Sequence, residues 1–455
     1  MAEMTRTYGW SAGVTPIDGV PIRAVDGRAR SIDELTSQVT RKVPPARVRV
    51  MRRPGNDALR QLAESTPLRR IRDVVERGPI VTEVQCAPLD RLVDIAEIGP
   101  IEEAFRRVLG SGRFTAGPDV ERIEHALGMF LGVDHVVGSA SGTDALVGAL
   151  LAVGVRPGDE VIIPPNSFPG TENAVHITGA TPVLADTRDD HLIDPESVRA
   201  VLTSRTRCVL PVHLYGRFAD VRALSDICAP HGIPIVEDAA QGIGLDDVGR
   251  WSDAAALSFN PYKNLGACGK AGAVVTNRAD LAEEVRRYLY HGFTPVGSEY
   301  RKYLKSAPFG LNARIDNLQA AGLGARVGFL SRNNLRRSVL AARYLDSLDS
   351  LAQRGLLRLP AGGPDTVWHL FTVEETIGRR DELLGALARR GVQADVYYPV
   401  LTHRQGGGAS VVHDRVDLRS VEGRSAHLFQ LPLYPTMTLS EQDRVVDALY
   451  AAFAS

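Results

Sequence analysis

The stretch Ser258-Phe259-Asn260-Pro261-Tyr262-Lys263-Asn264-Leu265-Gly266-Ala267-Cys268-Gly269-Lys270-Ala271-Gly272 sets a lysine in a Gly-rich turn between two short apolar runs. Asp253 to Phe259 reads as a buried strand and Gly272 to Asn277 as another, so Lys263 belongs at a strand end where loops meet. Open α/β sheets bind ligands at that end. A lysine packed against apolar and aromatic neighbours loses solvation of its ammonium form, and the freed amine becomes a nucleophile toward carbonyls. Taken alone, the stretch is as simply a solvated loop lysine with turn glycines, so its chemistry depends on what surrounds it. Gly266, Gly269 and Gly272 lie three apart rather than as G-x-G-x-x-G, and Ala271 stands where a Walker loop needs Ser or Thr. Neither nucleotide motif is present.

Composition narrows the classes. The 455 residues are 44% hydrophobic and 24% charged with a formal net charge of -1, which fits an ordinary globular protein of two or three domains. That balance gives no footprint for nucleic acid, and no apolar run has the length of a bilayer span. Cys86, Cys208, Cys228 and Cys268 are scattered and match neither a disulfide framework nor zinc-ligand spacing, so no metal site is expected. The N-terminus lacks a secretory apolar core, and Asp18, Asp26, Asp33 and Glu34 weaken a transit-peptide reading, which points to the cytoplasm.

Residues 1–95, rich in Pro and carrying Arg47, Arg49, Arg52 and Arg53, read as an N-terminal extension with short helices over 57–64 and 68–76. It is either an arm on a partner subunit or a poorly ordered tail. From Pro100 the texture changes, with helices expected over Ile101–Leu109 and Pro118–Leu131. Strand and helix then alternate through Val136, Glu160–Ile163, Pro182–Asp186, Arg207–Val212 and Ile233–Asp238. This alternation predicts an α/β fold, a mostly parallel central sheet with helices on both faces, over 96–340. One long helical pattern runs from Asn317 to Leu351. Apolar residues over Thr366–Val373 and helices over Arg380–Arg390 and Ser440–Phe453 predict a smaller C-terminal α+β domain over 341–455.

Other strand-end loops carry compatible groups. Ser141-Gly142-Thr143-Asp144 opens an apolar helix after the Val136 strand and is a phosphate site or only an N-cap. Asp238 ends the strand Ile235-Val236-Glu237, where a carboxylate either pairs with a protonated ring nitrogen or caps a turn. Phe168, in a polar turn after Ile163, either stacks on a planar cofactor or folds back on the core. Singly these signals are weak; together they are the set a pyridoxal phosphate enzyme needs.

Several ordered blocks resemble the DegT/DnrJ/EryC family of sugar aminotransferases. They are Ser141-Gly142-Thr143-Asp144-Ala145-Leu146, Pro157-Gly158-Asp159-Glu160-Val161, Gly179-Ala180-Thr181-Pro182-Val183, Val212-His213-Leu214-Tyr215-Gly216, Glu237-Asp238-Ala239-Ala240-Gln241 and Lys263-Asn264-Leu265-Gly266. The resemblance covers about Pro100 to the C-terminus. It implies the pyridoxal-phosphate-dependent transferase fold of type I and pyridoxal 5'-phosphate as cofactor. It further implies Lys263 as the residue bonded to the cofactor, Asp238 on the pyridine nitrogen, Gln241 on the ring hydroxyl and Phe168 stacked on the ring. Gly142, Thr143 and Ser258 would hold the phosphate, and Asn312 would reach the phosphate in a neighbouring subunit, which makes a homodimer with shared active sites.

The blocks Cys268-Gly269-Lys270-Ala271-Gly272-Ala273, Tyr290-His291-Gly292-Phe293 and Asp395-Val396-Tyr397-Tyr398-Pro399 resemble the branch of the family that aminates 3-oxo-glucose 6-phosphate with glutamate. That implies a glutamate donor, a ketosugar phosphate acceptor and substrate contacts from His291 and Tyr398. Where many relatives have Gly-Asp-Gly-Gly, this chain has Gly269-Lys270-Ala271-Gly272; Lys270 either meets an anionic substrate group or is a solvated lysine. Another ketosugar or a cyclitol ketone is an alternative acceptor. Relatives that dehydrate sugars replace the lysine with histidine, which Lys263 argues against. A non-catalytic binding or regulatory protein of this fold is opposed by the intact set of cofactor residues.

Overall fold

The computed structural model describes residues 83–454 apart from 297–298, 364–365 and 408–409. The helices expected over 57–64 and 68–76 lie outside the described residues. The body opens with α1 (Ile95–Ser111) and α2 (Pro118–Leu131), followed by β1 (His135–Ser139), α3 (Gly142–Ala152), β2 (Glu160–Ile163), α4 (Pro169–Ile177) and β3 (Thr181–Leu184). Next come α5 (Pro195–Val201), β4 (Thr206–Val209), α6 (Val221–Cys228), β5 (Val236–Asp238), β6 (Ala254–Ser258), β7 (Gly272–Thr276) and α7 (Ala279–Leu289).

Strands β3, β2 and β4 pair in parallel, as do β5 and β6, while β7 runs antiparallel between β6 and β1. Parallel bridges Val209–Ile235 and Val212–Asp238 join the two sets into one sheet, ordered β3-β2-β4-β5-β6-β7-β1. The inner strands are buried on both faces, as in Val161, Ile162 and Ile163 of β2, because helices cover each side. The strands are shorter than the apolar runs suggest: β4 stops at Val209, and Leu210 and Val212 continue only as single bridging contacts.

A two-stranded hairpin, β8 (Phe293–Val296) and β9 (Glu299–Lys305), precedes α8 (Asn317–Val327) and α9 (Leu330–Gln353). The single helical pattern expected from Asn317 to Leu351 is thus two helices. Gly328 and Phe329, with a low helix propensity at Gly, mark the break, and the Phe329 N–H turns back to the Arg326 carbonyl. Helix α1 likewise begins before Pro100: Asp94 caps it by accepting the Ala96 N–H at 2.9 Å, and the proline lies inside.

The C-terminal part contains β10 (Leu357–Arg358), β11 (Phe371–Glu375), α10 (Arg380–Arg389), α11 (Arg419–Ser425), β12 (Leu428–Leu431) and α12 (Leu439–Ala454). Its antiparallel sheet, β10-β11-β12, packs on α9 and α12 around the fully buried Tyr344, Phe371, Phe429 and Tyr434. Each such side chain contributes roughly 1.5–3 kcal/mol by leaving water. Val84 and Leu92 join this core, and the Val84 N–H donates to the Gly391 carbonyl at 2.8 Å, so the segment before α1 docks on the C-terminal part. Of the apolar residues expected to form one run over Thr366–Val373, only Phe371 onward is strand. Trp368 takes a left-handed backbone, φ 49°, that breaks the extension.

Candidate active site

Lys263 sits in the turn after β6. Its N–H donates to the Asn260 carbonyl at 2.8 Å, and the Ala267 N–H reaches back to the Phe259 carbonyl at 2.8 Å, so the loop is closed by its own backbone. Gly266 is required there, since a Cβ would lie 2.5 Å from the Pro261 carbonyl oxygen. The Lys263 side chain makes no ion pair among the described residues. Burial pulls its ammonium pKa down to about 8, and the Asp238 carboxylate opposes that fall only in part.

Asp238 ends β5 with 5% of its surface exposed. One oxygen accepts the Ala240 N–H at 3.1 Å and the other accepts the Thr171 hydroxyl at 2.7 Å. Because the single Thr171 proton is committed to Asp238, Ser167 must donate to Thr171 across their 2.7 Å contact. Gln241 is held at both ends of its amide: Oε1 accepts the Tyr215 N–H at 2.8 Å, and Nε2 donates to the Tyr398 hydroxyl at 2.7 Å. The Tyr215 and Tyr398 rings stack 6.2 Å apart.

Close approaches place the remaining expected residues. A Cβ on Gly142 would lie 3.0 Å from Ser258 Oγ, so the start of α3 touches the end of β6. A Cβ on Gly170 would meet Thr143 Oγ1 at 2.8 Å and the Phe168 ring at 2.9 Å, which brings those two side chains to one spot. Ser141 caps α3 by accepting the Asp144 N–H at 3.1 Å, while the Gly142 and Thr143 N–H groups donate to no described residue. The cap reading is correct for Ser141 and leaves two donors open beside it. Phe168 is 61% exposed, so it does not fold back on the core.

Asn312, Lys270 and His291 bond to none of these residues. Asn312 is exposed, and its backbone bridges to Tyr290. Lys270 is exposed and bonds to no described residue. His291 has a left-handed backbone, φ 54°, packs against the Tyr290 and Phe293 rings, and donates its N–H to the Leu311 carbonyl at 2.7 Å.

Sequence reasoning missed two supports. Thr171 gives no signal beyond being a polar residue at a helix start. His369, in the C-terminal part, has Nδ1 3.0 Å from Asn264 Oδ1, while the Asn264 amide donates to the Val367 carbonyl at 3.0 Å and Asn334 Oδ1 at 2.9 Å. A carboxamide oxygen only accepts, so Nδ1 carries the proton. Burial, then the charges of Lys263 and Arg337, holds this imidazole well below its usual pKa and neutral.

The arrangement suits a flat aromatic aldehyde bearing a phosphate. It offers a desolvated amine, a fixed carboxylate, open N–H donors at a helix start, an exposed aromatic ring and the buried Asn166 Oδ1, which has no partner. Residues 97–450 match the DegT/DnrJ/EryC1/StrS aminotransferase family. The chain belongs to this family. It is accordingly a pyridoxal-phosphate-dependent sugar aminotransferase of fold type I, as the sequence blocks implied.

Among DegT/DnrJ/EryC1 relatives, it is 42% identical over 348 residues to the Bacillus subtilis (strain 168) 3-oxo-glucose-6-phosphate:glutamate aminotransferase, covering 75% of this chain and 78% of that protein. It is also 42% identical over 355 residues to the Streptomyces venezuelae dTDP-3-amino-3,4,6-trideoxy-alpha-D-glucose transaminase, covering 76% and 90%. The crystal structure of NtdA from Bacillus subtilis with bound cofactor PMP superposes with a TM-score of 0.78 at 40% identity, covering 82% of this chain and 86% of that one. Among the described residues no cluster of His, Cys, Asp and Glu could hold a metal, and no helix is long and apolar enough to cross a membrane.

Proposed function

We propose that the protein transfers an amino group from glutamate to 3-oxo-glucose 6-phosphate, giving kanosamine 6-phosphate. The observation that carries this reading is the buried Lys263 amine, with a pKa near 8, facing the fixed carboxylate of Asp238. The likeness to the Bacillus subtilis enzyme supports the choice of acceptor. Pyridoxal phosphate, when bound, supplies an aldehyde for amine capture and a ring that takes up carbanion electrons.

This chain's residues divide the remaining work. Lys263 Nζ would hold the cofactor's aldehyde carbon, and as a free amine it would take the proton from the donor's α-carbon and return one to the sugar carbon. A pKa near 8 lets one amine serve as base and acid. Asp238 keeps the proton on the ring nitrogen. Thr171 and Ala240 orient its carboxylate for that task. Gln241, aligned by Tyr215 and Tyr398, would hold the ring hydroxyl, and Phe168 would stack on the ring. Gly142, Thr143 and Ser258 cradle the phosphate.

Lys270 supplies a cation for the sugar phosphate, with His291 and Tyr398 lining the acceptor site. Asn312, whose side chain bonds to no described residue, would serve the phosphate of a neighbouring subunit in a cytoplasmic homodimer. Residues 96–340 would form the large cofactor-binding domain and residues 341–455 the small C-terminal domain, with residues 1–95 an N-terminal extension.

A single-turnover spectrum tests the assignment. Glutamate should bleach the visible absorbance of the cofactor held on Lys263, and freshly made 3-oxo-glucose 6-phosphate should restore it. Restoration only by other ketones would overturn the acceptor and keep the aminotransferase. An unchanged KM for the sugar phosphate in Lys270→Ala would remove Lys270 from the site.

A further inference from the structure

A cavity of about 210 Å³ opens between the two halves of the molecule and is lined in part by Tyr215, whose N–H donates to Gln241 Oε1. The loops after β3 and β4 form one wall with His191, Tyr215 and Arg217; the C-terminal part forms the other with Leu359, Trp368 and Glu374. Among the described residues, four non-glycine residues have a left-handed backbone, and three of them, His191 (φ 66°), Tyr215 (φ 63°) and Trp368 (φ 49°), line this one cavity. Strained backbone persists where the surroundings over-determine it, and it concentrates at ligand clamps. The two strained turns are locked together: the Val367 N–H donates to the Gly216 carbonyl at 2.8 Å, and a Cβ on Gly216 would meet the His369 nitrogen at 2.7 Å.

The charges of the cavity do not close on themselves. Glu374 serves two guanidiniums, accepting from Arg358 at 3.2 Å and from Arg424 at 2.6 and 3.0 Å, and Arg424 also reaches Asp189 at 2.8 Å. Asp190 is taken by Arg188 at 3.2 Å and by the Leu192 N–H at 3.0 Å. Arg217 is left with one side-chain hydrogen bond among the described residues, from Nη1 to the Asp190 carbonyl at 3.1 Å, and it feels the Asp190 carboxylate without an ion pair to it. Its guanidinium therefore has donors to spare in a partly buried place, where a charge-assisted bond is strong. Leu359, Pro360, Ala361 and Trp368 contribute apolar lining.

We infer that this cavity binds a small carboxylic acid with an apolar body, its carboxylate on Arg217 and its body against Leu359, Pro360, Ala361 and Trp368. Such a ligand touches both halves of the molecule at the junction. It also lies beside Tyr215, whose ring stacks on Tyr398. Occupancy would therefore stiffen the wall that aligns Gln241, without entering the catalytic pocket.

The test titrates benzoate, hexanoate and inorganic phosphate into the holoenzyme by calorimetry, alongside Arg217→Gln and the cavity-filling Ala361→Phe. Saturable binding of at least one organic acid is expected, weakened about tenfold or more in Arg217→Gln and abolished in Ala361→Phe. Both variants should keep the cofactor absorbance and the bleaching by amino donor, which separates a lost site from a misfolded protein. Four outcomes overturn the inference: no saturable heat with either acid, binding equal in the two variants and the parent, Arg217-dependent binding of phosphate alone, or competition between the acid and the amino donor. If a variant loses its cofactor spectrum, Arg217→Lys, which keeps the charge, is titrated in its place and must retain binding.

Discussion

Two regions of this molecule take charge out of water and use it in opposite ways. Where α1 meets α8 and α9, Glu97 is fully buried and saturated: Arg326 Nε donates to it at 2.7 Å and Asn333 Nδ2 at 2.8 Å, while Arg326 also bonds the Leu92 and Gly266 carbonyls. In the turn after β6, Lys263 has no ion pair among the described residues, and the nearby Asp238 has its oxygens engaged by Thr171 and Ala240. A saturated cluster has nothing left to offer a ligand and fixes only how elements dock. An unsaturated one is costly in the empty protein and keeps its amine for a carbonyl. The difference is in partner count.

Substitutions at each region should separate chemistry from stability. Lys263→Ala carries the largest expected effect, a loss of turnover of about a thousandfold or more, with cofactor still bound weakly and the fold intact. Sustained turnover by the variant, measured over many cycles with glutamate, would refute the central role of this lysine. Glu97→Ala should do the reverse. Leaving Arg326 buried and unpaired should cost roughly 3–5 kcal/mol in denaturant unfolding, while the folded fraction keeps the parent cofactor spectrum. A spectral change at unchanged stability would erase the contrast.

The same contrast has a pH signature. The folded-state pKa of Lys263 lies below its unfolded value, so between about pH 8 and the ordinary lysine range near 10.4 the unfolded chain binds more protons. Stability of the cofactor-free protein should therefore rise with pH across that window. Below pH 8 the ammonium is present in both states, and the full penalty of burying it applies. Lys263→Met should relieve that penalty, stabilising the cofactor-free protein at pH 7 by about 2 kcal/mol and flattening the rise. Capture of aldehyde by the parent should increase with a midpoint near pH 8; a midpoint near 10 would show that the amine is solvated.

What the chain disclosed in advance follows the same division. Lys263, Asp238, Gly142 and Phe168 were legible because each follows an apolar run, and strand ends converge on one edge of a parallel sheet. Their supports were not. Thr171 meets Asp238 across 67 positions, and Asn264 meets His369 across 105, so no local pattern couples them. The division of the 317–351 helical pattern was hidden because its apolar spacing continues past Gly328. The left-handed turns at Tyr215 and Trp368 were hidden for another reason: both residues are large and aromatic, and nothing local favours φ > 0 there.

The smallest predicted effect bears on these hidden supports. Thr171→Val keeps the shape of the side chain and deletes the hydroxyl that donates to Asp238 at 2.7 Å, while Ala240 still holds the other carboxylate oxygen. One hydrogen bond to a charged acceptor amounts to about 1.5–3 kcal/mol, part of which a water replaces. Cofactor affinity should consequently weaken by roughly tenfold, with the thermal midpoint of the cofactor-free protein nearly unchanged, and Thr171→Ser should restore it. If Thr171→Val instead lowers that midpoint and leaves cofactor affinity intact, the Ser167–Thr171–Asp238 chain is part of the saturated scaffold. The line between the two regions then has to be redrawn inside the site itself.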